Sequence, residues 1–295
     1  SSTSNATVYN YTGITVSASS QAGDATAVGL EARALKYAYV YNTGDITASS
    51  ESVTGDSAST GIISDGLFDG AYVYNSGELI ISASTQYGSA EAIGIDAYSI
   101  GYIATVYNDG DITVSASVSG ISNIYTPTDT SANAYGINVS AYGEVVIDNS
   151  GNITLSSSNN LYLGTSTAVG INVDGYNGAT ITNTGDIVIE ASSGGGASYA
   201  FVYDPTQTLC GYYNCYITYE GTIDTAGIRT TSEYGVTTIT NSGDITITDL
   251  NPDGGFLGNL NGGDYLKGID AFNNMGDVIV NNSGNIVLEG GKWDF

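Results

Sequence analysis

One five-residue phrase, Asn-x-Gly-x-Ile, returns along this chain at a nearly fixed interval, and a self-similar period of that length demands a self-similar fold. It reads Asn42-Thr43-Gly44-Asp45-Ile46, Asn75-Ser76-Gly77-Glu78-Leu79, Asn108-Asp109-Gly110-Asp111-Ile112 and Asn149-Ser150-Gly151-Asn152-Ile153. It continues with Asn183-Thr184-Gly185-Asp186-Ile187, Asn241-Ser242-Gly243-Asp244-Ile245 and Asn282-Ser283-Gly284-Asn285-Ile286. Two degenerate copies, Asn10 to Ile14 (read as one residue longer) and Tyr219-Glu220-Gly221-Thr222-Ile223, complete the series. From Asn42 the intervals are 33, 33, 41, 34, 36, 22 and 41 residues, a base period of about 33 with insertions and one short unit.

Two further phrases keep step with the first. Gly-Ile or Gly-Leu stands about a dozen residues upstream, at Gly29, Gly61, Gly94, Gly136, Gly170, Gly227 and Gly268, with Ala200-Phe201 at the equivalent place in one unit. A β-branched residue stands two positions before each asparagine: Val40, Val73, Val106, Ile147, Ile181, Ile239 and Val280. Each unit therefore holds three short alternating stretches rich in Ile, Val, Thr and Tyr, separated by Gly or Asn turns. Alternation of this kind specifies strands, and helix formers and caps are too thin for a helical repeat.

Three strands per unit at a fixed period describe one coil of a parallel β-helix. The expectation is an all-β fold, a single right-handed β-solenoid over residues 1–295 of about eight coils. At a strand spacing of about 4.8 Å, eight coils make a rod of roughly 40 Å. Ile46, Leu79, Ile112, Ile153, Ile187, Ile223, Ile245 and Ile286 should form one inward column. Asn42, Asn75, Asn108, Asn149, Asn183, Asn241 and Asn282 should form a corner ladder, each amide donating to one neighbouring coil and accepting from the other. The glycine two places on is expected at positive φ.

These coils, with Asn-Ser/Thr-Gly-Asp/Asn-Ile corners set against Gly-Ile strands, resemble the passenger domains of Gram-negative autotransporters and related exported β-helical adhesins. The resemblance covers almost the whole chain. It implies export across the outer membrane, a cell-surface or released location, and adhesion. The membrane barrel of that family is missing before the chain reaches Lys292-Trp293-Asp294-Phe295, so the expectation is a cleaved passenger, a fragment or a free-standing relative.

Composition bounds the chemistry. With 5 basic and 30 acidic residues the net charge is −25, which disfavours phosphate backbones and anionic lipid, so neither nucleic acid nor a membrane is expected as partner. No histidine is present, which removes imidazole catalysis and imidazole metal ligation. No apolar run is long enough to cross a bilayer as a helix. The low Lys content and the abundance of Ser, Thr, Gly, Asn and Tyr point to an exported protein.

Four features are candidates for function. Tyr39, Tyr41, Tyr72, Tyr74 and Tyr107, with Tyr9 one coil earlier, fall on the outward parity of the strand before the asparagines. They read equally as a sheet-stabilising ladder and as a contact face for a glycan or another molecule. Loop insertions near 118–133, 192–216 and 249–264 project from the rod, where recognition commonly resides. The second holds Cys210 and Cys215, whose simplest reading in an exported protein is a local disulfide. The third holds Asp253 and Asp264 in oxygen-rich turns, weak candidates for Ca²⁺; no other cofactor is expected. Lastly, repeat-like sequence reaches both ends without a capping unit, which reads as open coils that stack head to tail, or as flanking sequence or terminal residues covering them.

A polysaccharide-degrading enzyme is the rival reading, since two carboxylates facing one cleft suffice for glycoside cleavage. Asp45 and Glu78 are an example, yet they recur on nearly every coil, and a residue repeated on every coil is scaffold. The basic residues Arg33, Lys36, Arg229, Lys267 and Lys292 are widely scattered in sequence. The expectation is a non-enzymatic extracellular structural or adhesive solenoid that self-associates end to end. The alternative is a monomeric adhesin binding glycan or a host surface through the tyrosines and loops.

Overall fold

The computed structural model describes residues 4–120, 130–161, 164–193, 222–250 and 265–290. They form strands and turns with no helix, in three parallel sheets of eight, eight and seven strands. The chain visits the sheets in strict rotation, here named A, B and C, so that each coil lies on the one before it. Sheet A holds the strands that end in the repeated asparagine, from Ala6–Asn10 to Asp277–Asn282. Sheet B starts at the repeated isoleucine, from Ile14–Ser20 to Ile286–Glu289. Sheet C carries the Gly-Ile phrase, from Ala25–Ala34 to Tyr265–Asn273. The parallel β-solenoid of about eight coils is what the repeat demands.

Register follows the repeat residue by residue. Asn10 pairs with Asn42 and Ile14 with Ile46, so the first copy has the same length as the others, with Gly13 set one place later. Asn183 pairs directly with Asn241, and its amide reaches that residue across 58 positions of sequence. The Tyr219 copy is therefore not a coil of its own, and the short unit does not exist. Ile223 sits in sheet C opposite Ser166, buried but outside the expected column. Ile14 takes its place there, and Ile46, Leu79, Ile112, Ile153, Ile187 and Ile245 are at most 1 % exposed.

The repeated glycines answer a steric demand different from the expected one. Positive φ is confined to Gly23, Gly70, Gly178, Gly235 and Gly290 among the described residues, none of them in the Asn-x-Gly phrase. Gly77, Gly110, Gly151 and Gly185 are instead places of close approach, because a Cβ on any of them would run into the carbonyl oxygen of the glycine one coil earlier. The Gly-Ile glycines have a second role. A Cβ on Gly136 would stand 2.5 Å from the Gly170 carbonyl oxygen and 2.6 Å from Cγ2 of Ile153. Gly170 faces Ile187 and Gly227 faces Ile245 in the same manner. Each such glycine thus makes room for the isoleucine of the following coil, which explains why the two phrases travel together.

The same glycine bends the strand. In Ala90–Ser99 the inward residues are Ala90 and Ala92 before Gly94, then Ile95, Ala97 and Ser99 after it, so the alternation slips by one. Pairing skips the glycine on every rung of sheet C, for example Tyr135↔Val169 followed by Ile137↔Ile171.

Candidate functional site

Most of the repeated polar chemistry is spent on holding coil to coil. The corner asparagines form an unbroken column from Asn10 to Asn282, each Nδ2 donating to Oδ1 of the next asparagine at 2.7 Å. The second N–H of each amide goes to a carbonyl two residues on, such as Gly44 or Gly151. A second column runs outside. Asp45 accepts the Glu78 backbone N–H at 3.0 Å, Asp111 that of Asn152, Asp186 that of Asp244, and Asp244 that of Asn285. The bond from the Asn285 N–H holds the Asp244 carboxyl below its ordinary range. The carboxylate of Asp45 is thus engaged by the backbone of Glu78 itself, as part of the ladder that joins coil to coil.

The sheet A tyrosines are two adjoining columns, Tyr9-Tyr41-Tyr74-Tyr107 and Tyr39-Tyr72. Ring centroids are 5.2 Å apart for Tyr9 and Tyr41, 5.6 Å for Tyr41 and Tyr72, and 5.7 Å for Tyr72 and Tyr107. Partial burial among neighbouring rings raises the Tyr39 and Tyr72 phenols. The long column ends at Asp148, followed by Thr182 and Thr240.

A second aromatic stripe escaped the sequence reading. It follows the corner between sheets C and A through Tyr142, Tyr176 and Tyr234. Tyr142 and Tyr176 stack at 4.4 Å, and Tyr234 meets Tyr176 edge-on at 5.2 Å. The hydrogen bond between the Tyr142 and Tyr176 hydroxyls pushes the Tyr176 phenol up to about 12. The sequence signal was a Tyr-Gly pair just past the Gly-Ile strand, as at Tyr142-Gly143 and Tyr234-Gly235.

Chemistry that changes from coil to coil is concentrated on the outer face of sheet C, where the bend makes the surface concave. Ile93 and Val169 face outward in the angle of the bend, outside the interior core, yet are only 8 % and 0 % exposed. On one side of them run Glu91, Asn133, Thr167 and Asp224; on the other run Asp96, Asn138, Asn172 and Arg229. Asn138 donates to Asp96 and Asn172 to Asn138, both at 2.9 Å. Arg229 bonds Asp224 at 2.6 Å, and Lys267 bonds Asp270 at 2.6 Å. Burial raises the Tyr135 phenol, with the Glu91 charge adding to it. Arg33, Arg229 and Lys267, distant in sequence, share this face.

Each insertion falls between a sheet B strand and a sheet C strand. The chain leaves sheet B at Val118, Ser193 and Asp249 and enters sheet C at Ser131, Thr222 and Tyr265. All three segments therefore bridge one corner of the rod. Residues 130–133 of the first lie in or next to the sheet C strand, while Ala200, Phe201, Cys210, Cys215, Asp253 and Asp264 lie outside the described residues. Among the described residues no group of three acidic or thiol side chains is placed to hold a metal ion. Comparison with protein-family models, with curated proteins and with solved structures finds no match.

Proposed function

We propose that the protein is a non-catalytic, extracellular structural and adhesive β-solenoid, a stiff rod that presents its outer faces to partners. The observation that carries this reading is the amide column that runs from the first described coil to the last and is buried from Asn10 to Asn241. A fully satisfied polar network of this kind rigidifies a core and fixes one register. The resemblance to autotransporter passenger domains favours the same role. Incubation of the purified chain with neutral and acidic polysaccharides tests the non-catalytic part: release of reducing ends or unsaturated products overturns it, and unchanged polymer length supports it.

Head-to-tail association of copies is the second part of the proposal. The column is directional, with every Nδ2 pointing toward the higher-numbered coil, so Asn282 offers a donor where Asn10 offers an acceptor. A coil of the same repeat fits that donor. Electron microscopy of the purified chain, with and without Ca²⁺, is the test. Filaments with an axial repeat near 40 Å are expected. Dispersed short rods in both conditions overturn the stacking and leave the lateral faces as the adhesive surface.

A further inference from the structure

Three successive coils put a tyrosine into the turn that follows the sheet C strand. Tyr142 comes directly after Ser131–Ala141, Tyr176 directly after Thr165–Gly175, and Tyr234 two residues after Thr222–Ser232. Backbone bonds between coils set these turns over one another. The Tyr176 N–H donates to the Ala141 carbonyl at 2.9 Å, and the Tyr234 N–H to the Tyr176 carbonyl at 2.8 Å. Phenols a full coil or more apart in sequence are thus brought to one corner of the rod.

Tyr142 and Tyr176 are the closest ring pair among the described residues, with centroids 4.4 Å apart and planes 10° from parallel. The closest pair on sheet A, Tyr9 and Tyr41, stands at 5.2 Å. The corner hydroxyls also meet in a hydrogen bond. Near-parallel rings whose hydroxyls meet bring the ring carbons beside those hydroxyls, the Cε atoms, across the same gap. Tyr234 crosses Tyr176 at 66° and lacks that overlap. Tyr142 is 56 % exposed, so a small oxidant reaches the pair from solvent.

We propose that Tyr142 and Tyr176 form an oxidative cross-linking site, at which a peroxide-driven one-electron oxidant joins two neighbouring coils through a carbon–carbon bond. The oxidant removes one electron and one proton from each phenol O–H. Each phenoxyl radical shares its unpaired electron with the Cε carbon beside its oxygen, and the two Cε carbons form the new bond. Each of those carbons then loses its proton to its own oxygen, which restores both phenols. Two C–H bonds are exchanged for one C–C bond, and the electrons and protons removed reduce one hydrogen peroxide to two waters. Holding the rings in contact favours coupling within the rod, and the net charge of −25 keeps tyrosines of separate copies apart. The link closes a loop of one coil in the unfolded chain and constrains it as a disulfide does. The site rests on coil stacking alone and not on the adhesive role.

The test treats the dilute purified chain with a peroxidase and hydrogen peroxide, then reads dityrosine fluorescence, a denaturing gel and a peptide map by mass spectrometry. Cleavage at acidic residues suits the map, because Asp148 and Asp174 lie between the two tyrosines. The expected product is a single chain lighter by two hydrogens, with a cross-linked peptide pair that joins Tyr142 to Tyr176. Y142F keeps the ring and removes the phenol, and should lose that link. Y41F removes a sheet A phenol and should keep it. Melting curves taken before oxidation confirm that both variants fold. The site is overturned if the wild-type chain forms no dityrosine, if the link maps to the sheet A tyrosines, or if it appears only between chains. Equal loss of the link in both variants overturns it as well.

Discussion

The inner and outer ladders of the same corner stand three residues apart and do related work under opposite conditions. The inner position is asparagine from Asn10 to Asn282, whereas the outer one varies through Asp45, Glu78, Asp111, Asn152, Asp186, Asp244 and Asn285. The inner group is buried and must both donate to the next coil and accept from the previous one. It also donates to a carbonyl two residues on, and only a carboxamide supplies two N–H donors and an acceptor in a short side chain. The outer group is exposed and needs only an acceptor for one backbone N–H, which a carboxylate supplies as well as an amide. Strict repetition therefore marks a dual requirement in a dry place, and loose repetition a single one in water.

The largest blow to this contrast is Asn149→Asp. The carboxylate accepts from Asn108 but cannot donate to Asn183 or to Gly151, and a buried unpaired charge should cost about 3–5 kcal/mol in urea unfolding. Because burial raises that carboxyl in the folded state, the penalty should shrink as pH falls toward and below the unfolded value, the sign expected of a raised acid. Ile153→Ala removes a member of the aliphatic column and should cost about 2–5 kcal/mol, with the slope of unfolding against urea unchanged. Gly151→Ala places a methyl group against the Gly110 carbonyl and should cost about 1–3 kcal/mol, visible as a lowered melting temperature.

The outer ladder should yield far less. Asp186→Ala deletes one exposed acceptor and should cost no more than about 1 kcal/mol. Asp244 sharpens the comparison through pH. Its folded carboxyl is lowered, so its contribution is present above the unfolded value and is lost as pH falls through the folded one. Asp244→Asn should flatten that acid limb slightly. Glu91 and Asp96 have the opposite sign, and E91Q/D96N should stabilise the rod at neutral pH with the gain fading in acid.

The same distinction sets how much of the molecule was legible in the sequence. A requirement met identically on each coil, such as the amide column or the Gly-Ile bend, writes itself as a period. Tyr219-Glu220-Gly221 mimics that period by spelling, and only the bond from Asn183 to Asn241 shows that no coil lies between them. The role of Gly151 was misassigned because positive φ and close backbone approach leave the same residue behind. The sheet C angle was hidden for a different reason. A one-residue slip at glycine leaves the hydrophobic pattern on either side intact, so nothing in the alternation reveals that the surface turns concave at Ile93. The pairing of Asp224 with Arg229 across that angle depends on the slip and could not be read without it.

The three-sheet rotation also decides how such a rod bears load. Tension along the axis pulls at the same moment on every backbone bond joining two coils, in three sheets and at the asparagine corner. A sideways pull on one strand meets those bonds singly and in order. The molecule is built to resist stretching far better than peeling, and an attachment that loads it lengthwise draws on its full strength.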